Sequence, residues 1–213
     1  MRFFAICIGL VFSTFFLNAQ SNETCGTDEH HAFLMRTNPG YKARYLEQRA
    51  ILKERIRQEE NNPRQLQTVY TIPVVFDIIH LGETIGAGSN ISDAQVYDAL
   101  AGLNDRYANV NGMGQDIEIN FCLANRDPGG CPTSGINRVD GSGVANYESE
   151  GIAWGDGCGA NEFEIKALIG WPVDQYYNIW VVRDICGDIA GYAYYPNGDW
   201  YDGCVIDIAS MNY

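Results

Sequence analysis

The apolar residues of this chain fall into blocks whose spacing predicts alternating strands and helices. Residues 70–80 and 177–185 are almost continuously apolar, which is typical of strands that are covered on both faces. Residues 116–123 alternate between apolar and polar side chains instead, which predicts a strand with one solvent-facing side. Two shorter strands are predicted at 189–195 and 204–209.

Helix signals lie before and between these strands. Asn38, followed by a proline, predicts a helix over about 39–60. Ser92 with Gln95 three residues later forms a capping box, which predicts that a second helix begins there. A short third helix is expected at about 162–169.

Together these elements predict an α/β fold. We expect a mixed twisted sheet of about five strands with a crossover helix and a short edge strand, preceded by a helical segment. The edge strand is assigned to 189–195, because Gly191 interrupts it and Pro196 follows it. Residues 124–160 are predicted to form a long irregular loop that is either functional or tied down.

The first nineteen residues differ from the rest of the chain. Met1-Arg2 is positively charged, residues 3–17 are an apolar run, and a small residue precedes Gln20. This pattern predicts a secretory signal peptide at 1–19, since the run is short for a membrane span. We therefore expect an extracellular protein with no membrane attachment after cleavage. The alternative is an uncleaved membrane anchor.

Charge divides the remaining chain into two segments. The net charge is −13. Residues 20–64 hold seven acids and eight bases, whereas residues 65–213 hold twenty acids and five bases. The strongly acidic second segment argues against a nucleic-acid partner.

Six cysteines remain after the expected signal peptide, and extracellular proteins form disulfides. Their connectivity cannot be deduced from spacing. The disulfide candidates are Cys122, Cys131, Cys158, Cys186 and Cys204. The only histidines are His30, His31 and His80, whose spacing does not suit a metal site, and we interpret them as polar loop or strand-end residues. The sequence therefore predicts no metal site within this chain.

An ordered series of short segments resembles the front half of the catalytic domain in pappalysin-type (cytophagalysin-like) metzincin zinc metalloproteases. The segments lie at 72–80, 90–95, 119–124, 127–128, 135–138, 171–172, 177–181, 191–193 and 202–207. The resemblance implies a secreted zinc-dependent metalloendopeptidase that acts on protein or peptide substrates. It divides the chain into a helical pro-segment at 20–66 and the N-terminal part of a catalytic domain at 67–213.

The family's catalytic motif, His-Glu-x-x-His-x-x-Gly-x-x-His, is absent from the 213 residues. We expect the chain to be truncated before the zinc helix and to be inactive as given. Zinc belongs to the parent family's site, so no catalytic residue is assigned in this chain. Calcium is compatible with the resemblance, which assigns no site to it.

Two local features take a role from the resemblance. The family binds substrate along an edge strand, which corresponds here to Gly191, Tyr192, Ala193, Tyr194, Tyr195 and Pro196. The alternative is an ordinary edge strand whose tyrosines pack on the core. Cys25 resembles the thiol that keeps the family's pro-forms latent by binding zinc, and the alternative is a disulfide with a cysteine of the catalytic domain.

A rival interpretation is a secreted binding module without catalytic activity. Thirteen tyrosines and four tryptophans in an acidic chain also suit recognition of glycans or proteins.

Overall fold

The computed structural model describes residues 24–61, 69–155, 157–187 and 189–211. The expected signal peptide at 1–19 lies outside these residues. We use "N-terminal segment" for residues 24–61 and "body" for the described residues from 69 onward. Among the described residues, none of the helices combines the length and the apolar composition that a membrane span requires.

The elements alternate largely as the sequence predicts. The strands are β1 (Thr24–Cys25), β2 (Tyr70–His80), β3 (Ile119–Leu123), β4 (Ile136–Asp140), β5 (Tyr177–Val182), β6 (Ile189–Ala193) and β7 (Cys204–Asp207). The helices are α1 (Thr27–Thr37), α2 (Pro39–Asn61), α3 (Asp93–Tyr107), α4 (Tyr147–Glu150) and α5 (Glu162–Lys166), and a 3₁₀ turn follows at Ile208–Met211.

The strands form one mixed sheet in the order β1-β6-β7-β5-β2-β3. β4 also pairs with β2, beyond β3 on the same side, so that the two shorter strands share one long neighbour. Within the body all pairs are parallel except the antiparallel pair of β6 and β7. The mixed α/β class and the parallel crossover through α3 are therefore confirmed.

The described sheet has seven strands, two more than the approximate five expected from the sequence. β4 lies inside the stretch predicted to be an irregular loop, and α4 follows it. The side chains of β4 are mostly half-buried without alternation, so the strand depends on its pairing with β2 rather than on a local pattern. β1 is only two residues long and is likewise defined by its neighbour, β6.

Both faces of the central strand β2 are buried, as its continuous apolar run predicts. Val74, Phe76 and Ile78 belong to the core that α3 covers, and Ile79 belongs to the core on the opposite face. Each fully buried side chain of this kind contributes about 1.5–3 kcal/mol. Asp77, the polar exception in the strand, is buried and accepts a hydrogen bond from Asn137 at 2.8 Å between Oδ1 and Nδ2.

The helix starts match the capping residues. Ser92 Oγ accepts from the Gln95 amide, and Gln95 Oε1 accepts from the Ser92 amide at 3.0 Å, which completes the predicted capping box of α3. Asn38 Oδ1 accepts from the Tyr41 amide at 2.9 Å, so Asn38 caps α2. Both predicted helix starts are confirmed.

One disulfide is present among the described residues. It joins Cys158 to Cys186, two of the five candidates, and so ties the loop before α5 to the connection between β5 and β6. The other three candidates are free thiols, as is Cys25. Cys131, the other disulfide candidate within residues 124–160, does not tie this stretch down, because its thiol is free and exposed.

Candidate functional site

The outer edge of β6 is covered by the N-terminal segment. β1 pairs with it in parallel, with Thr24 opposite Ile189 and Cys25 opposite Gly191. The Gly26 amide donates to the Gly191 carbonyl at 2.9 Å, and the Ala193 amide donates to Thr27 Oγ1 at 3.0 Å. β6 is therefore the edge of the body's part of the sheet, but not the edge of the whole described sheet.

Gly191 is required by packing against the neighbouring strand of the body. A Cβ atom at this position would lie 2.7 Å from the carbonyl oxygen of Val205 in β7. Such a distance is shorter than any ordinary van der Waals contact. The close backbone approach that requires glycine at this position is therefore made by β7.

The six residues predicted to bind substrate divide into two groups. Gly191, Tyr192 and Ala193 lie in β6, whereas the next three residues continue beyond its end. Tyr192 and Tyr194 are buried on the core face, as the alternative interpretation supposed for Tyr194. Tyr195 is half-buried and donates a hydrogen bond to Asp28 of α1 at 3.0 Å, and Pro196 is exposed.

A buried polar cluster joins β6 to α5 and to the N-terminal segment. Tyr194 donates to Glu162 Oε1 at 2.7 Å and Tyr192 donates to Glu162 Oε2 at 3.1 Å. His30 of α1 is 1% exposed, and its Nε2 atom lies 3.6 Å from Glu162 Oε1. The sequence gives no signal for this cluster, because Glu162 is one of the acids expected in the first turn of a helix.

Lys166 lies one helical turn after Glu162 and is also buried. Its Nζ atom lies 3.5 Å from Glu162 Oε2 and donates to the Tyr201 carbonyl at 3.1 Å. It also lies over the aromatic rings of Tyr194 and Trp180, at 4.1 and 4.8 Å from their centroids. Burial lowers the pKa of Lys166 and the nearby Glu162 carboxylate opposes this shift.

Burial also lowers the pKa of His30 from its ordinary value of 6.5. The Glu162 carboxylate and a hydrogen bond with the Trp154 carbonyl act in the opposite direction, and they are the weaker influences. Burial likewise raises the pKa of Tyr192 and Tyr194, whose hydroxyls already donate to the same carboxylate. The cluster therefore holds an imidazole and two phenols in their neutral forms.

The histidines do not form a metal site. No group of three or more potential ligands comes together within the described part of the chain. His31 Nδ1 lies 2.6 Å from the Tyr41 hydroxyl, and His80 Nδ1 accepts from the Gly82 amide at 2.9 Å. The interpretation of His30 as a polar loop residue is wrong, because α1 inserts it into the core.

Cys25 lies opposite Gly191 of β6, at the start of the N-terminal segment. Its thiol is exposed and free, and it donates to Thr27 Oγ1 at 3.3 Å. The alternative of a disulfide with the body is not found, since Cys158 and Cys186 pair with each other. The described residues around Cys25 do not offer the further ligands that a zinc ion would need.

The second helix of the N-terminal segment is docked only along its first turns. Tyr41 is buried, and Arg44 forms an ion pair with Asp199 at 2.7 Å and donates to the Tyr201 hydroxyl at 2.7 Å. From residue 49 to residue 60 every side chain is exposed. Leu52 and Ile56, which continue the apolar spacing in the sequence, therefore do not contact the body's core.

Comparison with known proteins gives matches only among solved structures. No protein-family model and no curated protein matches the chain. A point mutant of promirolysin from Tannerella forsythia overlaps it with a TM-score of 0.57 at 25% sequence identity, covering 87% of this chain and 59% of that one. Mirolysin in complex with a compound gives a TM-score of 0.48 at 27% identity, covering 67% of this chain and 53% of that one. Mature Tannerella forsythia mirolysin in complex with a cleaved peptide gives a TM-score of 0.47 at 27% identity, covering 67% of this chain and 54% of that one.

Promirolysin is a metzincin-type zinc metalloprotease, and the overlap with it shows that the fold of this chain is similar to that of metalloprotease catalytic domains. The overlap with promirolysin covers more of this chain than residues 67–213 alone would supply, so it includes part of the N-terminal segment. The chain spans 59% of the promirolysin chain that it matches.

Proposed function

We propose that this chain is the pro-segment and the front part of the catalytic domain of a secreted, pappalysin-type zinc metalloendopeptidase. Residues 20–66 form the pro-segment and the residues from 67 onward belong to the catalytic domain. The observation that carries the proposal is the pairing of β1 with the edge of β6, because a peptide substrate would need the same backbone groups.

The pairing explains how the segment would keep the enzyme latent. The Gly191 carbonyl and the Ala193 amide, which an extended peptide would use, are bound to Gly26 and Thr27. Cys25 directly precedes Gly26 and has an exposed thiol, which suits a cysteine that reaches a metal ion near this edge. The catalytic zinc would be held by ligands other than the described residues, because no group of three or more potential ligands comes together among them.

Charge and packing support the idea of a separable segment. The N-terminal segment, whose charges nearly balance, docks on a strongly acidic body through the Arg44–Asp199 ion pair, and much of α2 makes no contact with the core. An exposed, weakly docked helix is the kind of region at which a protease first cleaves. Removal of the segment would free the edge of β6 for substrate.

The rival function, an aromatic-rich binding module, receives less support. Binding modules present their aromatic rings at the surface. Here many of the rings are interior: Tyr41, Tyr147, Tyr192, Tyr194, Tyr201 and Trp180 are all buried.

The proposal is tested on the gene product that includes the coding sequence downstream of Tyr213. We expect that sequence to encode a His-Glu-x-x-His helix, and the product to bind one zinc ion and to cleave fluorogenic peptides after removal of the pro-segment. A downstream region without the motif, together with a product that holds no zinc and hydrolyses no peptide, would refute the assignment.

A matched pair of variants tests the role of Cys25 in latency. Cys25→Ala should raise the rate of peptide cleavage by the unprocessed protein, because the thiol no longer occupies the metal. Cys131→Ala removes another free, exposed thiol that lies away from β6, and it should leave latency unchanged. Equal rates for the two variants would exclude Cys25 as the latency thiol.

A further inference from the structure

The side chain of His30 fills a recess whose walls belong entirely to the body. Its ring centroid lies 4.5 Å from that of Tyr192 and 5.0 Å from that of Tyr194, the second contact being edge-to-face. Glu162 forms a third wall, with an oxygen 3.6 Å from His30 Nε2. The carbonyl of Trp154 closes the recess with a hydrogen bond to His30 Nδ1.

The walls are held in place by contacts that do not involve His30. The Glu162 carboxylate accepts hydroxyl hydrogen bonds from Tyr192 and Tyr194, and Lys166 lies beside it. The Cys158–Cys186 disulfide anchors the loop before α5, in which Trp154 also lies, to the connection between β5 and β6. The carboxylate and the two phenols that line the recess are therefore held by contacts within the body.

Burial in the recess disfavours ionised ligands. Glu162 would repel an anion. For a cation the cost of desolvation, to which Lys166 adds repulsion, outweighs the attraction of Glu162. The Trp154 carbonyl requires a hydrogen-bond donor, which Nδ1–H of a neutral imidazole supplies. His30 Nε2 makes no hydrogen bond, and the nearby Glu162 Oε1, 3.6 Å away, accepts from Tyr194.

We propose that this recess is a binding site for a neutral imidazole ring, occupied in the latent chain by His30. A second step rests on the proposed function: once the pro-segment has been removed, the same site becomes available to a histidine side chain of another peptide. The released pro-segment is one such peptide. The recess lies on the core side of β6, whereas β1 binds at its edge, so the two sites are different parts of the body.

The test opens the recess in the full chain with His30→Gly and adds free imidazole at about pH 8, where the ring is neutral. We expect imidazole to raise the midpoint of thermal unfolding of this variant in a saturable manner, and to have no such effect on the unmodified chain. His31→Gly is the matched control, because His31 lies on the same helix but packs on the partly exposed ring of Tyr45. A saturable rise confined to His30→Gly supports the site.

Ligand chemistry provides the second comparison. Pyridine has a ring of similar size but no N–H donor for the Trp154 carbonyl, so it should stabilise His30→Gly much less than imidazole does. Equal stabilisation by pyridine, or an imidazole effect of the same size in His31→Gly, would overturn the proposal.

A measurement on the unmodified chain covers the case in which His30→Gly does not fold. Nitrogen-15 chemical shifts of the histidine rings should show His30 as the neutral tautomer protonated at Nδ1 at a pH where free imidazole is largely charged. A charged ring, or a ring protonated at Nε2, would contradict the inference. None of these readouts uses zinc or peptide cleavage, so a failure of the proposed function would leave them interpretable.

Discussion

Replacing the disulfide offers a quantitative test of how the loop around Trp154 is held. In the variant with Cys158→Ser and Cys186→Ser, the unfolded chain regains the entropy of a closed loop. The two cysteines are 28 residues apart. For a loop of this length the chain-entropy relation gives about 3.5 kcal/mol at room temperature, which is a large part of an ordinary domain's stability.

The assay is equilibrium unfolding in urea, followed by tryptophan fluorescence and by circular dichroism so that two-state behaviour is checked. We expect the double variant to lose roughly 3–4 kcal/mol, and a reductant to bring the unmodified chain to the same midpoint. Cys131→Ser, which removes a free and exposed thiol, should lie within about 0.5 kcal/mol of the unmodified chain. A loss below about 1 kcal/mol in the double variant would mean that the covalent link does not constrain this loop in the unfolded chain.

Three further results are expected. Ser92→Ala removes the hydroxyl that caps α3 and should lower the free energy of unfolding in urea by about 1 kcal/mol. An unchanged free energy of unfolding would show that the cap does not stabilise the fold. Gly191→Ala should cost about 1–3 kcal/mol because its Cβ meets the Val205 carbonyl, whereas Gly102→Ala, in an exposed turn of α3 with open space around it, should be neutral or stabilising by up to about 1 kcal/mol. Burial lowers the pKa of His30 below its ordinary value of 6.5, so below pH 6.5 the detached segment binds more protons than the docked segment. As the pH falls further, the free energy of docking should weaken by about 1.4 kcal/mol per pH unit, until the lowered pKa of His30 is reached. Amide hydrogen exchange in α1, corrected for its intrinsic pH dependence, measures the free energy of docking. Protection that stays constant as the pH falls would contradict the prediction.

The N-terminal segment shows where local sequence patterns stop being informative. Residues 27–37 have no clear apolar period, and they form α1 because His30 and Leu34, four residues apart, both enter the core of the body. By contrast, α2 follows a clear capping signal at Asn38, although only its first turns are docked. Helix propensity and capping predicted the second helix, while packing against the body was needed for the first.

The sequence alone determined those structural features that depend on residues close together along the chain. The continuous apolar run of β2 requires burial on both faces, and the Ser92–Gln95 pair satisfies backbone groups within one turn of helix, so both could be predicted. Tertiary structure decided what depends on distant partners: the disulfide between Cys158 and Cys186, the pairing of β1 with β6, and the burial of His30 against Glu162. Each of these contacts joins residues that are far apart in sequence, and no periodicity or spacing along the chain records which distant groups the folded sheet brings together.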